Sequence, residues 1–186
     1  MQIQLAYGKN GLQLNMPDEW NLSILDPMDE PALTNPDAAL SAALCSPIGC
    51  PPLRQWVKPE DRVGIVFSDI TRPAPTSAMI RAILKALRHV PDQNILLFNA
   101  VGTHRQNTRK ELYEMVGKDI FNRFRLIQNE AENEETQVCV GVSTFHHDIW
   151  LNRELVACDK KVLTGFIEPH FFAGFSGGGK AVMPGM

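Results

Sequence analysis

Residues 63–69, VGIVFSD, contain the clearest strand pattern of the sequence. The first five residues are apolar, and a short continuous apolar run of this kind predicts a strand that is buried on both faces. The polar pair Ser68 and Asp69 ends the run. Two further stretches, ILLF at 95–98 and KVLT at 161–164, predict strands of the same sheet.

Amphipathic helices are predicted between these strands. The first has apolar side chains at helical spacing, namely Met79, Ile80, Ile83, Leu84 and Leu87. We expect Thr76 to cap it. Thr108 and Glu111 have the spacing of a capping box, and they open a second helix that Gly117 ends. Alternating strands and helices predict right-handed crossovers and an α/β fold, a mainly parallel sheet with helices on both faces.

The segments outside this central part have weaker patterns. Apolar residues alternate on either side of GKNG at 8–11, which is typical of a β-hairpin with a glycine turn. A proline-rich segment follows at 17–60, where prolines exclude long helices but allow a short one at 37–44. Nearer the end of the chain, strands are predicted at 138–142 and 149–151, and a short helix is predicted at 155–158.

Composition narrows the function classes. The 186 residues are 44% hydrophobic and 21% charged, as in ordinary globular proteins, and the net charge of −3 argues against a nucleic-acid partner. No apolar run approaches the ~20 residues of a membrane helix. The first residues lack the basic and apolar regions of a secretory signal, so we expect none. Four scattered cysteines without a CxxC pair favour a cytoplasmic protein with reduced thiols.

Polar segments follow three of the predicted strands. They are SDITRP at 68–73, VGTHR at 101–105 and GFIEPH at 165–170. Ligands of parallel α/β sheets bind beyond the carboxyl ends of the strands. Because each segment carries ionisable groups, the sequence predicts a site at this edge of the sheet.

The charged residues and histidines of these segments each have a functional and a structural interpretation. Arg72 has a planar fork that binds a carboxylate through two hydrogen bonds, and Asp69 would fix its orientation. The alternative is a local Asp69–Arg72 salt bridge that holds the loop. His104 and His170 would act as acid and base on opposite faces of one substrate carbon. The alternative is a pair of polar surface histidines.

A glycine-rich stretch near the end, GFSGGGKA at 174–181, nearly matches a phosphate-binding P-loop. Ala181 stands where that motif needs a hydroxyl for Mg²⁺, which argues against a nucleotide triphosphatase. Backbone N–H groups of such a turn still suit a phosphate, and Lys180 adds an amine. The alternative is a glycine-rich loop with a solvated lysine.

Three blocks in order resemble the N-terminal domain of the nickel-dependent lactate racemase family: SDITRPAP at 68–75, GTHR at 102–105 and GFIEPHFFAGFSGGGKAVMPG at 165–185. The resemblance runs from about residue 63 to the end and is weak over the first sixty residues. It implies a racemase or epimerase of a short 2-hydroxy acid. It also implies a nickel-pincer nucleotide cofactor that accepts the α-hydrogen as a hydride.

The resemblance implies a role for each matched residue. His104 and His170 would be the acid/base pair, Arg72 would bind the substrate carboxylate with Asp69 beside it, and Lys180 would hold the cofactor covalently. Further contacts to the cofactor or its phosphate are implied at Thr71, Ser176, Gly177, Gly178 and Gly179.

The resemblance also implies that residues 1–186 are one cofactor-anchoring domain of a longer enzyme. In the family a nickel-binding histidine and a C-terminal domain follow the lysine, so we expect no metal ligand here. We expect this part alone to be inactive, with the C-terminal domain and a small 2-hydroxy acid as its partners. The alternative is a non-catalytic α/β domain that binds phosphate or carboxylate through Arg72, the glycine turn and Lys180, without the histidines.

Overall fold

The computed structural model describes residues 1–25 and 30–186, so part of the predicted proline-rich segment, 26–29, lies outside the described residues. The chain divides into two compact units, Met1–Thr34 and Asn35–Met186. In the first unit, β1 (Gln2–Leu5) pairs antiparallel with β2 (Leu12–Asn15). This confirms the predicted hairpin.

The second unit contains the remaining elements. Its helices are α1 (Pro36–Cys45), α2 (Leu53–Trp56), α3 (Thr76–Ala86), α4 (Arg109–Val116), α5 (Lys118–Arg123) and α6 (Arg153–Val156). Its strands are β3 (Val63–Ser68), β4 (Ile95–Ala100), β5 (Arg125–Gln128), β6 (Gln137–Val142), β7 (Asp148–Asn152), β8 (Lys160–Leu163), β9 (Pro169–His170) and β10 (Gly174–Phe175).

Four of these strands form a parallel sheet in the order β5-β4-β3-β8. Val63 lies beside Ile95 on one side and beside Lys160 on the other. The predicted α/β fold is therefore confirmed. β6 and β7 pair with each other as a separate antiparallel hairpin, and β9 and β10 form a short pair of their own.

The strands of this sheet bury side chains on both faces. Because neighbouring side chains of a strand point to opposite faces, β3 contributes to two apolar clusters. One cluster contains Ile65 and packs against helices α2 to α5; the other contains Val66 and packs against α6 and the segment near Ala181. The prediction that both faces are covered is confirmed.

The predicted helix ends are confirmed in one case and wrong in another. Thr108 and Glu111 form the capping box of α4, and Gly117 ends that helix with a φ of +87°. Thr76, in contrast, does not cap α3: it is the first helical residue, and Pro75 occupies the cap position without a side-chain hydrogen bond. The proline-stiffened turn places Thr76 inside the first turn of the helix, so its hydroxyl is not in the position of a cap.

The helices are short. In the described ranges α3 is the longest at 11 residues, which at about 1.5 Å per residue spans roughly half of a bilayer core. No helix within 1–25 and 30–186 is long and apolar enough to cross a membrane.

Replacing Phe98, which is fully buried in β4, by alanine should lower the free energy of unfolding by about 3–5 kcal/mol because it leaves a cavity. The matched control is Phe145→Ala in the β6–β7 turn, where the ring is 80% exposed and the change should stay within about 0.5 kcal/mol. Denaturant unfolding of both variants measures the difference. Equal losses would contradict the described core.

Candidate active site

A cleft lies where β3 and β4 end, and the segment that follows β8 closes its third side. The enclosed volume is small, about 80 Å³. Its ionisable lining residues are Asp69, Arg72, His104 and Lys180. The first two polar segments therefore meet at the carboxyl edge of the sheet, as the order of strands predicts. Residues 176–185 form the third side of the cleft, and the polar segment 165–170 reaches it through the hydrogen bond from Arg72 to Glu168.

Asp69 is the buried centre of this cleft, with only 5% of its surface exposed. Its Oδ2 lies 2.6 Å from Nδ1 of His104, and its Oδ1 accepts a hydrogen bond from the Thr71 hydroxyl at 2.8 Å. A carboxylate only accepts hydrogen bonds, so the contact places a proton on Nδ1 of His104 and, in the neutral ring, leaves the lone pair on Nε2. The lone pair on Nε2 is then the free basic site of the ring.

Asp69 does not orient Arg72, so that prediction and its salt-bridge alternative are both wrong. Both carboxylate oxygens of Asp69 are already engaged by Thr71 and His104. Arg72 instead donates from Nη1 to Oε1 of Glu168 at 2.6 Å. Glu168 was missed as a site residue; the only signal in the sequence is its place in the polar segment after β8.

His170 lies in β9 and is not among the residues that line the cleft. Its Nδ1 accepts hydrogen bonds from the backbone N–H groups of Phe172 and Ala173, each at 3.3 Å. A ring that accepts at Nδ1 carries its proton on Nε2 when neutral. His104 and His170 are thus held in opposite tautomers, and the structure does not bring them to one cavity.

The glycine turn is built from two kinds of position. Ser176 is buried, and its hydroxyl donates to the carbonyl of Phe166 at 2.7 Å. Gly177 has a φ of +74°, and a Cβ there would approach the Phe166 carbonyl to 3.2 Å, so glycine is required. At Gly178 and Gly179, a Cβ would meet nothing within 4 Å. Ser176 and Gly177 therefore fix the turn, whereas Gly178 and Gly179 face open space.

This arrangement fits a phosphate-bearing cofactor at the backbone and the lysine. The open space over Gly178 and Gly179 lets a ligand approach their backbone. Lys180 follows in a short 3₁₀ turn, and among the described residues no carboxylate lies within ion-pair distance of it. A shallow depression beside the turn is also lined by Lys180. In the described ranges no three His, Cys, Asp or Glu side chains cluster as a metal site.

The two predicted hydroxyl contacts are differently placed. The Thr71 hydroxyl donates to Asp69, and the Ser176 hydroxyl donates to Phe166. A phosphate accepts hydrogen bonds and needs donors. In this arrangement neither hydroxyl has a proton left for a phosphate. Both instead stabilise the conformation of the loops that form the site.

Buried amides support the loop that carries His104, and sequence reasoning missed them. Asn99 is fully buried in β4; its Nδ2 donates to the Ser68 carbonyl at 3.1 Å, and its Oδ1 accepts from Asn107 at 2.7 Å. Asn107 in turn donates its backbone N–H to Gln128 at 2.7 Å. The signal in the sequence is a single asparagine within an otherwise apolar strand.

The residue after His104 is also held. Arg105 makes two hydrogen bonds to Glu111, at 2.9 and 2.8 Å. The guanidinium, together with the backbone N–H of Thr108, lowers the pKa of Glu111 from its ordinary 4.5 to about 2. The loop is therefore tied at its far end to the start of α4.

The family described as the lactate racemase N-terminal domain matches residues 7–186. The chain belongs to this family. The resemblance drawn from the three sequence blocks is thereby confirmed.

Two relatives are curated as lactate racemases. The one from Thermoanaerobacterium thermosaccharolyticum is 32% identical over 187 residues, which cover 99% of this chain and 44% of that protein. The one from Lactiplantibacillus plantarum is 36% identical over 145 residues, covering 77% of this chain and 34% of that protein. The chain therefore spans less than half the length of these relatives.

Solved structures agree with the fold. The lactate racemase apoprotein from Thermoanaerobacterium thermosaccharolyticum superposes with a TM-score of 0.83 at 31% identity, over 100% of this chain and 44% of that chain. A protein from Thermotoga maritima superposes with a TM-score of 0.62 at 24% identity, over 81% of this chain and 37% of that chain, and shows the fold alone.

Replacing Asp69 by alanine should release the His104 ring from its single tautomer. Imidazole ¹⁵N chemical shifts at alkaline pH should show protonated Nδ1 and bare Nε2 in the parent protein, and an average of both tautomers in the variant. His147, in the β6–β7 turn, is the control and should keep its shifts. Unchanged His104 shifts in the variant would contradict the Asp69–His104 hydrogen bond.

Glu111→Gln should lower stability in a pH-dependent way. A carboxyl whose folded pKa is depressed contributes stability above its unfolded pKa and loses it as pH falls through the folded pKa. The stability gap between parent and variant should therefore be constant from pH 7 to about 4.5, and shrink towards pH 2. Urea unfolding at a series of pH values measures the gap. A gap that does not change with pH would refute this anchoring.

Proposed function

We propose that this chain is the cofactor-anchoring and catalytic N-terminal part of a racemase or epimerase of a short 2-hydroxy acid. Membership of the lactate racemase N-terminal domain family supports the reaction class. The observation that carries the proposal is the Asp69–His104 pair, which shares one cleft with Arg72 and Lys180. A 2-hydroxy acid has a carboxylate beside a hydroxyl-bearing carbon. Arg72 suits the carboxylate, and His104 suits the hydroxyl.

Arg72 would bind the substrate carboxylate. A guanidinium has five N–H donors, and Glu168 occupies Nη1. The remaining donors can form the paired hydrogen bonds that a carboxylate prefers. Binding at Arg72 puts the neighbouring hydroxyl in the same cleft as the His104 loop.

His104 would take the proton of the substrate hydroxyl at Nε2. Asp69 makes this possible, because its negative charge at 2.6 Å from Nδ1 stabilises the imidazolium that forms. When bound, a nickel-pincer nucleotide supplies the hydride acceptor that an α-hydrogen beside a carboxylate needs. Loss of the two hydrogens converts the substrate to a 2-keto acid.

His170 would return a proton to the keto oxygen on the opposite face, and the centre would be inverted when the hydride is returned to that face of the carbon. The neutral ring carries its proton on Nε2, since Nδ1 accepts from the backbone. His170 lies outside the described cleft, so this step needs β9 and its flanking loop to come nearer to Arg72. The β9–β10 pair is short, and the rings of Phe171 and Phe172 beside it are exposed. These features suit a segment that packs against the remainder of the full-length protein.

Lys180 would anchor the cofactor through its amine, and Gly178 and Gly179 would receive the phosphate on their backbone. We further propose that activity needs the portion that the relatives carry beyond the matched region, including a nickel-binding histidine. These 186 residues alone would then be inactive. A cytoplasmic location completes the proposal.

The second candidate is a non-catalytic domain that binds a phosphate or carboxylate. The position of His170 outside the cleft favours it, because Arg72, the glycine turn and Lys180 would suffice. Replacing His104 by alanine distinguishes the two. An enzyme loses racemisation by at least about 100-fold, whereas a binding domain keeps its affinity and has no turnover to lose.

Covalent anchoring is tested by Lys180→Ala in the full-length protein that carries this chain, produced together with the cofactor-forming enzymes. Intact mass should show the adduct in the parent and none in the variant, because the attached amine is gone. Lactate racemisation, followed by chiral chromatography, should be lost as well. The control is Lys110→Ala, whose side chain is 85% exposed on α4 and whose adduct should be unchanged. An adduct retained in Lys180→Ala would show that Lys180 is not the attachment site.

A further inference from the structure

One ion pair joins two loops that are far apart in the sequence. Arg72, which follows β3, donates to Glu168, which follows β8, at 2.6 Å. Both side chains are mostly covered, with 23% and 32% exposed. Charge-assisted hydrogen bonds of this length are stronger than neutral ones. The pair therefore restrains the guanidinium more than a solvated surface pair would.

Glu168 is itself attached to the frame of the site. Its carbonyl accepts the backbone N–H of Ser176 at 2.9 Å, which ties it to the glycine turn. The next residue, Pro169, begins β9 and pairs with Phe175. The backbone of Glu168 is thus fixed relative to both the turn that carries Lys180 and the strand that carries His170.

No other acidic group of the site holds Arg72. The carboxylate of Asp69 is shared between Thr71 and His104. Within 1–25 and 30–186, the one ion pair formed by Arg72 is that with Glu168. The orientation of the guanidinium plane therefore depends on a residue 96 positions away.

We propose that Glu168 is a positioning residue that fixes the plane of the Arg72 guanidinium and leaves its free edge for the substrate carboxylate. A guanidinium is planar, so holding one Nη sets the direction of every other donor. The proposal rests on the proposed function in one respect, that Arg72 binds the carboxylate of a 2-hydroxy acid.

Kinetics of the full-length protein with lactate test the substrate side. Glu168→Ala should raise KM by about tenfold with little change in kcat, because a carboxylate contact is loosened and no reacting atom is touched. Glu168→Gln keeps an oxygen acceptor and should stay within about threefold of the parent KM. Glu154→Ala, which removes the 2.6 Å ion pair with Arg125 at the other edge of the sheet, is the matched control and should leave KM unchanged.

A double-mutant cycle separates positioning from a structural role. If Glu168 acts through Arg72, the Arg72→Ala/Glu168→Ala double variant should have the same KM as Arg72→Ala alone. Additive effects, or a fall in kcat equal to the rise in KM, would overturn the proposal. Arg72→Ala without effect on KM would overturn it too.

NMR of the 186-residue chain tests the geometry without any turnover. In the parent, the Arg72 guanidinium should give slowly exchanging side-chain N–H signals. These signals should be lost in Glu168→Ala, kept in Glu168→Gln and kept in Glu154→Ala. Arg72 signals that survive Glu168→Ala would refute the positioning role. A full-length parent without racemase activity would refute the proposed function alone, since this measurement does not depend on it.

Discussion

Parallel pairing of β3 with β4 is the constraint on which the site depends. It places Ser68 beside Ala100, so the loops that follow these residues leave the sheet at the same edge. Asp69 on one loop then reaches His104 on the other. A buried carboxylate is costly unless its oxygens are hydrogen-bonded. The bonds from Thr71 and His104 meet that need, and they also fix the ring that we propose as the base.

The third wall of the cleft comes from the segment after β8, which is held by backbone contacts that only small residues allow. A Cβ at Gly165 would lie 3.1 Å from the Cα of Gly177, and one at Gly185 would lie 2.9 Å from the Cβ of Ala100. Gly102 donates its backbone N–H to Gly185 at 3.1 Å. The glycines thus bring Lys180 to the end of β4 while leaving open space over the turn.

The central strands and the location of the site could be predicted from sequence because both follow from local pattern. β3 and β4 are buried on both faces and read as continuous apolar runs. β5 was missed because RLIQ is an edge strand with a short, mixed pattern. The partner of Arg72 was missed for a different reason. Asp69 is three residues away and Glu168 is 96 away, and only tertiary structure shows that the nearer carboxylate is already engaged.

We propose that one cleft binds a 2-hydroxy acid, with Arg72 on the carboxylate and His104 beside the hydroxyl. A crystal structure of the full-length protein with cofactor and bound lactate would show where each group of the substrate lies. We predict the lactate carboxylate within hydrogen-bond distance of the free edge of Arg72, the hydroxyl within reach of His104 Nε2, and Glu168 still on Nη1. Lactate bound away from Arg72 and His104 would rule out this binding mode.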